Sequence, residues 1–294
     1  MGRRTKIIQY AAALLMALAA ILGGLFGGPA AAAKDGAAGP ASAKDGADEG
    51  DPLAPDVEVF TGRGFDTCEA PSLGAMSAWR KSQYRAVGVY IGGRGRACKQ
   101  QVNLGPRWVR SVHDEGWSIL PLYVGSQSPC VHSGGKQNVI IDAEPWYQGA
   151  EEGRDAVLSA VALGMRENSP IYLDMEAYDQ HDPECADTTL SFVQGWNNEV
   201  RRQGFLPGFY SSSTSGVRHM DTMRASGVQD LPEIMWFARW DIPGSVEDEP
   251  SLADDAWTPH RRIHQYAGNV TEEYGGVTMK IDRNMVDAPV AVID

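Results

Sequence analysis

Short apolar segments alternate with segments of helical periodicity over most of the chain, beginning near Val57. Several of the short segments are almost continuously apolar, which is typical of strands that are buried on both faces. We therefore predict eight strands. Their predicted bounds are Val59–Asp66, Ala86–Gly92, Ser118–Gly125, Ile171–Ala177, Leu206–Ser211, Ile234–Trp240, Arg262–Ala267 and Thr278–Asp282.

The segments between the first six strands carry apolar residues at helical spacing. In the clearest case, Asp187 is predicted to cap a helix and Gly204 to end it. Segments 241–261 and 268–277 lack this pattern, contain several prolines and glycines, and are predicted to be loops or short turns.

Strands that alternate with helices predict a parallel sheet with right-handed crossovers. Eight repeats in a domain of this size are typical of a single α/β (β/α)₈ TIM-type barrel, here with degenerate last helices. An open doubly wound sheet is the alternative. The absence of a glycine-rich phosphate loop after the first strand disfavours that alternative.

The N-terminus has the pattern of an export signal. The first 33 residues contain three basic residues near the start, a long apolar stretch, no acid and a final run of small residues. A retained membrane anchor is the alternative, and the export route, general secretory or twin-arginine, stays open. Residues 34–56 are predicted to be a disordered linker, because they lack large apolar residues. The barrel is then predicted to occupy residues 57–294.

The charge of the chain limits the classes of binding partner that we expect. The formal net charge is −12, and the predicted mature part is more acidic still. Such a chain offers no basic surface to phosphates, so nucleic acid is not an expected partner. No membrane partner is expected beyond the signal segment. We expect a monomer without a cofactor or a metal.

The four cysteines all lie in the predicted exported part, and their even number favours disulfides over free thiols. A metal site is a weaker alternative, because no two cysteines have the close spacing of metal ligands. Cys68 and Cys98 follow the first two strands, and Cys130 and Cys185 follow the third and fourth. Pairing neighbours gives Cys68–Cys98 and Cys130–Cys185, which we prefer among the three possible connectivities.

Acidic residues occur at three predicted strand ends. Asp174 and Glu176 are two residues apart, so they point to the same side of the fourth strand. Leu173 and Met175 are apolar and belong against the helices, which leaves the acids facing the barrel interior. Acids also close the first and eighth strands, which are neighbours in a closed barrel. We call Asp66, Asp174, Glu176 and Asp282 the acid cluster and predict it at the C-terminal mouth, where active sites of this fold lie. Taken alone, two acids at a strand end are more often solvated or cap the next helix.

Aromatic and amide side chains occur on the fifth, sixth and seventh strands. Each aromatic residue alone is more typical of a core, but together at successive strand ends they suit a sugar site. The residues are Tyr210, Trp236, Trp240, Gln265 and Tyr266.

Six short motifs follow one another at these strand ends. In chain order they are Gly-x-Asp (64–66), Tyr-x-Asp-x-Glu (172–176), Tyr-Ser-Ser (210–212), Trp-x-Ala-x-Trp (236–240), Gln-Tyr (265–266) and Asp-x-Asn (282–284). No single motif is specific, but their order resembles glycoside hydrolase family 25, the barrel lysozymes that cut peptidoglycan between N-acetylmuramic acid and N-acetylglucosamine. It resembles more closely the related glycoside hydrolase-like domains of exported bacterial proteins. The resemblance covers residues 62–288.

The resemblance implies a role for each matching residue. Glu176 matches the general acid, Asp174 matches the carboxylate that assists at the anomeric carbon, and Asp66 and Asp282 complete the cluster. The aromatic and amide residues named above match positions that line the sugar cleft. Arg239 and Asn284 are added as candidate substrate-binding residues. Arg239 and Arg283 depart from the lysozyme pattern, and neutralisation of Asp174 or Asp282 by either arginine would make the cluster more structural than catalytic.

The chemistry of glycoside cleavage suits such a cluster. Cleavage needs a protonated acid at the leaving oxygen and negative charge near the oxocarbenium-like centre. Because close acids do not all ionise at low cost, one should stay protonated near neutral pH, and we assign that proton to Glu176. An exported hydrolase of cell-wall polysaccharide is therefore expected. A non-hydrolytic glycan-binding barrel and a structural envelope protein are the alternatives.

Overall fold

The computed structural model describes residues 53–293. The predicted export signal at residues 1–33 and the predicted linker up to residue 52 lie outside the described residues. Within residues 53–293, no helix has the length and the apolar character that crossing a membrane requires.

Eight strands close into a barrel in chain order, with helices between them. The strands are β1 Val59–Asp66, β2 Ala86–Gly92, β3 Ser118–Tyr123, β4 Pro170–Asp174, β5 Leu206–Ser212, β6 Ile234–Ala238, β7 Arg262–Tyr274 and β8 Val277–Pro289. The α-helices are α1 Leu73–Trp79, α2 Pro106–Asp114, α3 Pro145–Ala162, α4 Pro183–Arg202 and α5 Arg218–Ala225. The predicted α/β barrel and its eight strands are confirmed.

The last two strands form a hairpin and not a further β/α repeat. Strands β1 to β7 pair with their neighbours in parallel, whereas β8 is antiparallel to both β7 and β1. Only Gly275 and Gly276 separate β7 from β8, and their φ angles are +62° and +77°. Positive φ at two central residues is typical of a tight hairpin turn, and a parallel crossover needs a much longer connection. The prediction of a loop or short turn at 268–277 was therefore wrong, because most of this segment is strand.

Helix α4 begins earlier than predicted. The side chain of Asp182 accepts a hydrogen bond from the backbone N–H of Cys185 at 3.1 Å, and Pro183 occupies the first helical position. Proline is favoured there because its missing N–H needs no partner. The N-cap is therefore Asp182, and the predicted cap Asp187 lies inside the helix.

Apolar side chains fill both sides of the barrel wall. Tyr172 and Trp236 belong to a core inside the barrel. Leu173 and Met175 belong to a larger core between the strands and the helices, as predicted. The alternation along β4 therefore places Asp174 on the inner side.

Helices α3 and α4 cross at glycines. A Cβ atom on Gly149 would lie 2.0 Å from the Phe192 carbonyl oxygen, and one on Gly195 would lie 2.0 Å from the Trp146 carbonyl oxygen. The two backbones therefore touch where neither helix carries a side chain.

The structure contains both predicted disulfides, Cys68–Cys98 and Cys130–Cys185, with Cα–Cα distances of 5.7 and 5.9 Å. Each bridge joins two segments that follow neighbouring strands, so both lie toward the C-terminal end of the parallel strands.

The long connection 241–261 contains no helix or strand, as predicted. Arg262, at the start of β7, is buried and donates hydrogen bonds to four backbone carbonyls of this connection. The acceptors are Val246, Ala253, Asp254 and Ala256. A buried guanidinium thus orders a loop that has no regular structure of its own.

Candidate active site

A cavity of about 790 Å³ opens at the C-terminal end of the parallel strands, the usual place for active sites of this fold. All four residues of the acid cluster line it. The structure thus brings together carboxyl groups that are separated by up to 216 positions in the sequence.

Asp282 reaches the cavity by a route that differs from the prediction. It lies within antiparallel β8 and not at the end of a parallel strand, and it is the direct cross-strand partner of Asp66. Because β8 starts at the mouth, its first half lies beside the end of β1. One carboxylate oxygen of Asp282 accepts a hydrogen bond from the backbone N–H of Asn269.

Asp66 is buried, and its carboxylate accepts three side-chain hydrogen bonds. The Tyr90 hydroxyl donates to Oδ1 at 3.1 Å, and Gln265 Nε2 and Asn284 Nδ2 donate to Oδ2 at 3.0 and 2.8 Å. Asp66 is therefore the acceptor at the centre of a buried polar network.

Tryptophan donors fix the orientation of both amides. Trp236 Nε1 donates to Asn284 Oδ1 at 2.9 Å, and Trp240 Nε1 donates to Gln265 Oε1 at 2.9 Å. An indole N–H can only donate, so each amide turns its oxygen toward the indole and its NH₂ group toward Asp66. The two tryptophans thereby fix the side-chain amides of Asn284 and Gln265, which in turn donate hydrogen bonds to Asp66.

The carboxyls of Asp66 and Asp282 do not both ionise readily. Burial and then the charge of Asp282 raise the pKa of Asp66 to about 7, although its hydrogen bonds oppose the shift. Burial also raises the pKa of Asp282, against the hydrogen bond from Asn269 and the charge of Lys280. The pair therefore holds a proton more readily than two exposed aspartates would.

Asp174 is buried at the end of β4, and its Oδ1 atom has no hydrogen-bond partner among the described residues. Burial, followed by the negative charge of Glu176, raises the pKa of Asp174 to about 8, while Lys136 opposes this shift. These surroundings therefore favour the protonated form of Asp174. We predicted Glu176 as the protonated acid; of the two carboxyls, Asp174 is the more deeply buried, and burial is the main cause of its raised pKa.

Glu176 follows β4 and is held through its backbone. Its N–H donates to Gln127 Oε1 at 2.8 Å, and Gln127 Nε2 donates to the carbonyl oxygen of Asp174 at 2.8 Å. The buried Gln127 amide thus pairs with the backbone of Asp174 and Glu176 and keeps the chain extended past the end of β4. The Glu176 side chain stays 40% exposed.

A second cavity of about 410 Å³ shares Glu176 with the first, so this side chain lines both cavities. Tyr210, Arg239 and Trp240 line this second cavity. The Tyr210 hydroxyl donates to Gln265 Oε1 at 3.0 Å, and the Trp240 ring is 45% exposed. An exposed indole face beside carboxylates is suited to stacking on a sugar ring.

Other predicted cleft residues lie elsewhere. Trp236, Gln265 and Asn284 are buried and act through the network around Asp66. The ring of Tyr266 packs over Gly244 and lines neither cavity. These four residues support or adjoin the site in this structure and do not line its open surface.

Neither of the two arginines that depart from the lysozyme pattern pairs with the acid cluster in the described part of the chain. Arg239 Nη1 lies 3.4 Å from Glu249 Oε2, and Arg283 pairs with Glu272. The neutralisation that the sequence left open is therefore not observed.

Lys136 is a residue of the site that was not predicted from the sequence. It lies in the long connection between β3 and α3, lines the larger cavity, and is only 14% exposed. Its Nζ atom donates to the carbonyl oxygen of Gly95 at 2.8 Å and lies 3.9 Å from Glu176 Oε1. A cation thus lies beside the acid cluster.

Metal binding by clustered side chains finds little support between residues 53 and 293. The group that combines such residues at ligand spacing is Cys130, Asp182 and Cys185. The two sulfur atoms are joined in a disulfide, so they are not available as thiolate ligands.

The raised pKa of Asp174 predicts how stability depends on pH. The folded chain holds this proton from about pH 4 to about pH 8, where the unfolded chain has lost it, so stability falls as pH rises through this range. Asp174→Asn should reduce the loss of unfolding free energy between pH 5 and pH 8 by up to about 4 kcal/mol. Urea unfolding at both pH values measures this difference. Glu69→Gln, an exposed acid of the same cavity, is the control, and an Asp174→Asn protein with the wild-type pH dependence would contradict the assignment.

The closed barrel and the carboxyl groups at its mouth define a glycoside hydrolase-like α/β barrel. Residues 77–286 match the family described as Rv2525c-like, glycoside hydrolase-like domain, and the chain belongs to this family. No curated protein sequence matches the chain at a significant level.

Solved structures share the fold at low sequence identity. The Tat-secreted protein Rv2525c of Mycobacterium tuberculosis, in complex with L-tartrate, is 18% identical, with a TM-score of 0.53 over 77% of this chain and 96% of that chain. An uncharacterised protein of B. stearothermophilus is 18% identical, with a TM-score of 0.50 over 76% and 95%. The modular autolysin LytC of Streptococcus pneumoniae, in complex with a synthetic peptidoglycan ligand, is 13% identical, with a TM-score of 0.50 over 79% and 47%.

Proposed function

We propose that the protein is an exported glycan hydrolase that cleaves cell-wall peptidoglycan or a related N-acetylated polysaccharide. Glu176 is the general acid, and Asp174 assists. The observation that carries the proposal is that Glu176 lines both cavities, beside a buried carboxyl whose pKa is raised. A glycan that spans both cavities presents a glycosidic oxygen to Glu176.

The pair Asp174 and Glu176 can supply the acid chemistry. The charge of Glu176 contributes to the raised pKa of Asp174, so the two carboxyls interact, and in the proposed mechanism they share one proton. Glu176 is the more exposed member and delivers the proton to the leaving oxygen. Asp174 then carries negative charge near the oxocarbenium-like centre, or orients an N-acetyl group that acts as the nucleophile.

The substrate class is supported by the exposed Trp240 ring and by the fold that the chain shares with LytC, whose structure holds a synthetic peptidoglycan ligand. Export is supported by the two disulfides and by the signal pattern of residues 1–33. Because the net charge is −12, nucleic acid is not a proposed partner.

The proposal is tested by incubating the purified protein with insoluble peptidoglycan and with chitin oligomers, and by measuring new reducing ends. Mass spectrometry of the soluble products identifies the bond that was cut. New reducing ends on either polymer are the expected result. Their absence over the range from pH 4 to pH 8 would contradict hydrolysis.

A non-hydrolytic glycan-binding barrel is the second candidate, and the presence of Lys136 in the same cavity favours it, because an ammonium group can bind acidic groups of a glycan without cleaving it. It predicts saturable binding to peptidoglycan without products. Trp240→Ala should weaken that binding about tenfold if the ring stacks on a sugar. Unchanged binding would exclude Trp240 as a contact.

A further inference from the structure

Three cations line the larger cavity together with the acid cluster, and two of them are partly buried, whereas the third, Lys280, is exposed. The two partly buried cations are Arg96, in the connection after β2, and Lys136, in the connection after β3. Lys136 Nζ donates to the carbonyl oxygen of Gly95, the residue that precedes Arg96. This hydrogen bond joins the two connections and brings the ammonium group close to the chain segment that carries the guanidinium group.

Both cations have donor capacity that the described part of the chain does not use. Arg96 donates through Nε and Nη1 to the carbonyl oxygens of Gly93 and Tyr90, each at 3.3 Å, and no carboxylate between residues 53 and 293 lies within 4.0 Å of its guanidinium nitrogens. Within residues 53–293, Lys136 donates one hydrogen bond, and its Nζ atom forms an ion pair with Glu176 Oε1 at 3.9 Å, beyond hydrogen-bond distance. The remaining N–H donors of both side chains are available to the acceptor atoms of a ligand in the cavity.

We propose that Arg96 and Lys136 bind a free carboxylate of the glycan, so that the preferred substrate is an acidic chain such as one containing N-acetylmuramic acid without attached peptide. The inference rests on the proposed function, since it concerns the same cavity. A guanidinium presents paired N–H donors that match the two oxygens of a carboxylate, and a lysine supplies a second positive charge. A neutral sugar hydroxyl uses neither feature.

The proposal also implies an order of reactions. Where a peptide is attached to the lactyl group of N-acetylmuramic acid, an amide replaces the carboxylate and the charge is lost. A reaction that hydrolyses this amide must therefore precede binding of the preferred substrate.

Calorimetric titration of the unmodified protein tests the charge requirement without any substitution. The probes are the disaccharide N-acetylglucosaminyl-N-acetylmuramic acid, its lactyl methyl ester, and di-N-acetylchitobiose, which lacks the lactyl group. We expect the free acid to bind at least tenfold more tightly than the ester and the chitobiose. Equal affinities for acid and ester would overturn the proposal.

Two substitutions locate the carboxylate. Arg96→Met and Lys136→Met should each weaken binding of the free acid about tenfold and leave binding of the ester within twofold. Lys99→Met is the matched control, since it removes the same charge from an exposed residue that does not line the cavity. A loss of affinity for acid and ester alike, or an equal loss in the Lys99 variant, would contradict a specific contact.

Failure of this inference and failure of the proposed function give different results. If the protein prefers the free acid but releases no reducing ends, the carboxylate site is supported and the assignment as a hydrolase is contradicted. If the protein cleaves glycans but binds the acid and the ester equally, the assignment as a hydrolase is supported and the carboxylate site is contradicted.

Discussion

Replacing Gly195 with alanine is expected to lower the free energy of unfolding by about 3–5 kcal/mol, the upper range for a single substitution. The added Cβ atom would lie 2.0 Å from the Trp146 carbonyl oxygen and 2.8 Å from its carbonyl carbon. Both are backbone atoms in the first turn of α3, so no side chain can rotate away. The helices must separate, and the aromatic core next to the crossing loses contacts.

Gly74→Ala is the matched control for this substitution. Gly74 is an exposed residue inside α1, and a Cβ atom there would meet nothing closer than 3.9 Å. Alanine has the higher helix propensity, so this variant should be neutral or more stable by up to about 1 kcal/mol. Urea unfolding of both variants gives the comparison. A Gly195→Ala protein with wild-type stability would show that α3 and α4 do not cross as closely as described.

The strands were predictable because their pattern is local. Each apolar run is bounded by polar or glycine positions, and the predicted bounds of β1 and β2 agree with the structure. The orientation of β8 was not predicted, because it depends on a two-residue turn at Gly275 and Gly276. Both glycines stand in the sequence, and recognising them as a hairpin turn would have predicted an antiparallel last strand.

The acid cluster was predictable from the positions of the acids at strand ends and from the alternation of side chains along a strand. The antiparallel orientation of β8 does not change which acids come together. Asp282 still faces Asp66, because an antiparallel strand places its first half where a parallel strand places its last half. Tyr90 was missed, although it stands on β2 two residues after Gly88, whose Cβ would point at Asp66 and therefore inward. The same alternation rule that located Asp174 would have located Tyr90.

Lys136, Arg96 and Gln127 were not predictable from the sequence. They lie in long connections, where the position of a side chain depends on the whole fold and not on a local period. The sequence also did not predict which carboxyl of the cluster has the most strongly raised pKa, because this depends on how deeply each carboxyl is buried. Asp174 is buried, whereas Glu176 is 40% exposed.

Glu176→Gln is expected to reduce the rate of glycan cleavage by 10²–10⁴, the usual contribution of a general acid. The glutamine amide has nearly the same shape and has no proton to give to the leaving oxygen. Because the side chain is 40% exposed and is anchored by the backbone N–H, the stability of the variant should stay close to that of the wild type. Binding of uncleaved oligosaccharide should also persist.

Glu69→Gln is the matched control for this variant. Glu69 is an exposed carboxylate that lines the same cavity and lies outside the acid cluster. The same change of charge at this position should leave the cleavage rate within about twofold of the wild-type rate. A large loss in both variants would indicate a general effect of cavity charge and not proton donation by Glu176.

The most direct test of the central claim is the initial rate of reducing-end formation on peptidoglycan by wild type, Glu176→Gln and Glu69→Gln, each purified identically and checked for equal thermal unfolding. The proposed role of the acid cluster predicts cleavage by the wild type and the Glu69 variant, and a rate at least a hundredfold lower for the Glu176 variant. Equal rates for all three proteins, or no cleavage by any of them, would contradict it.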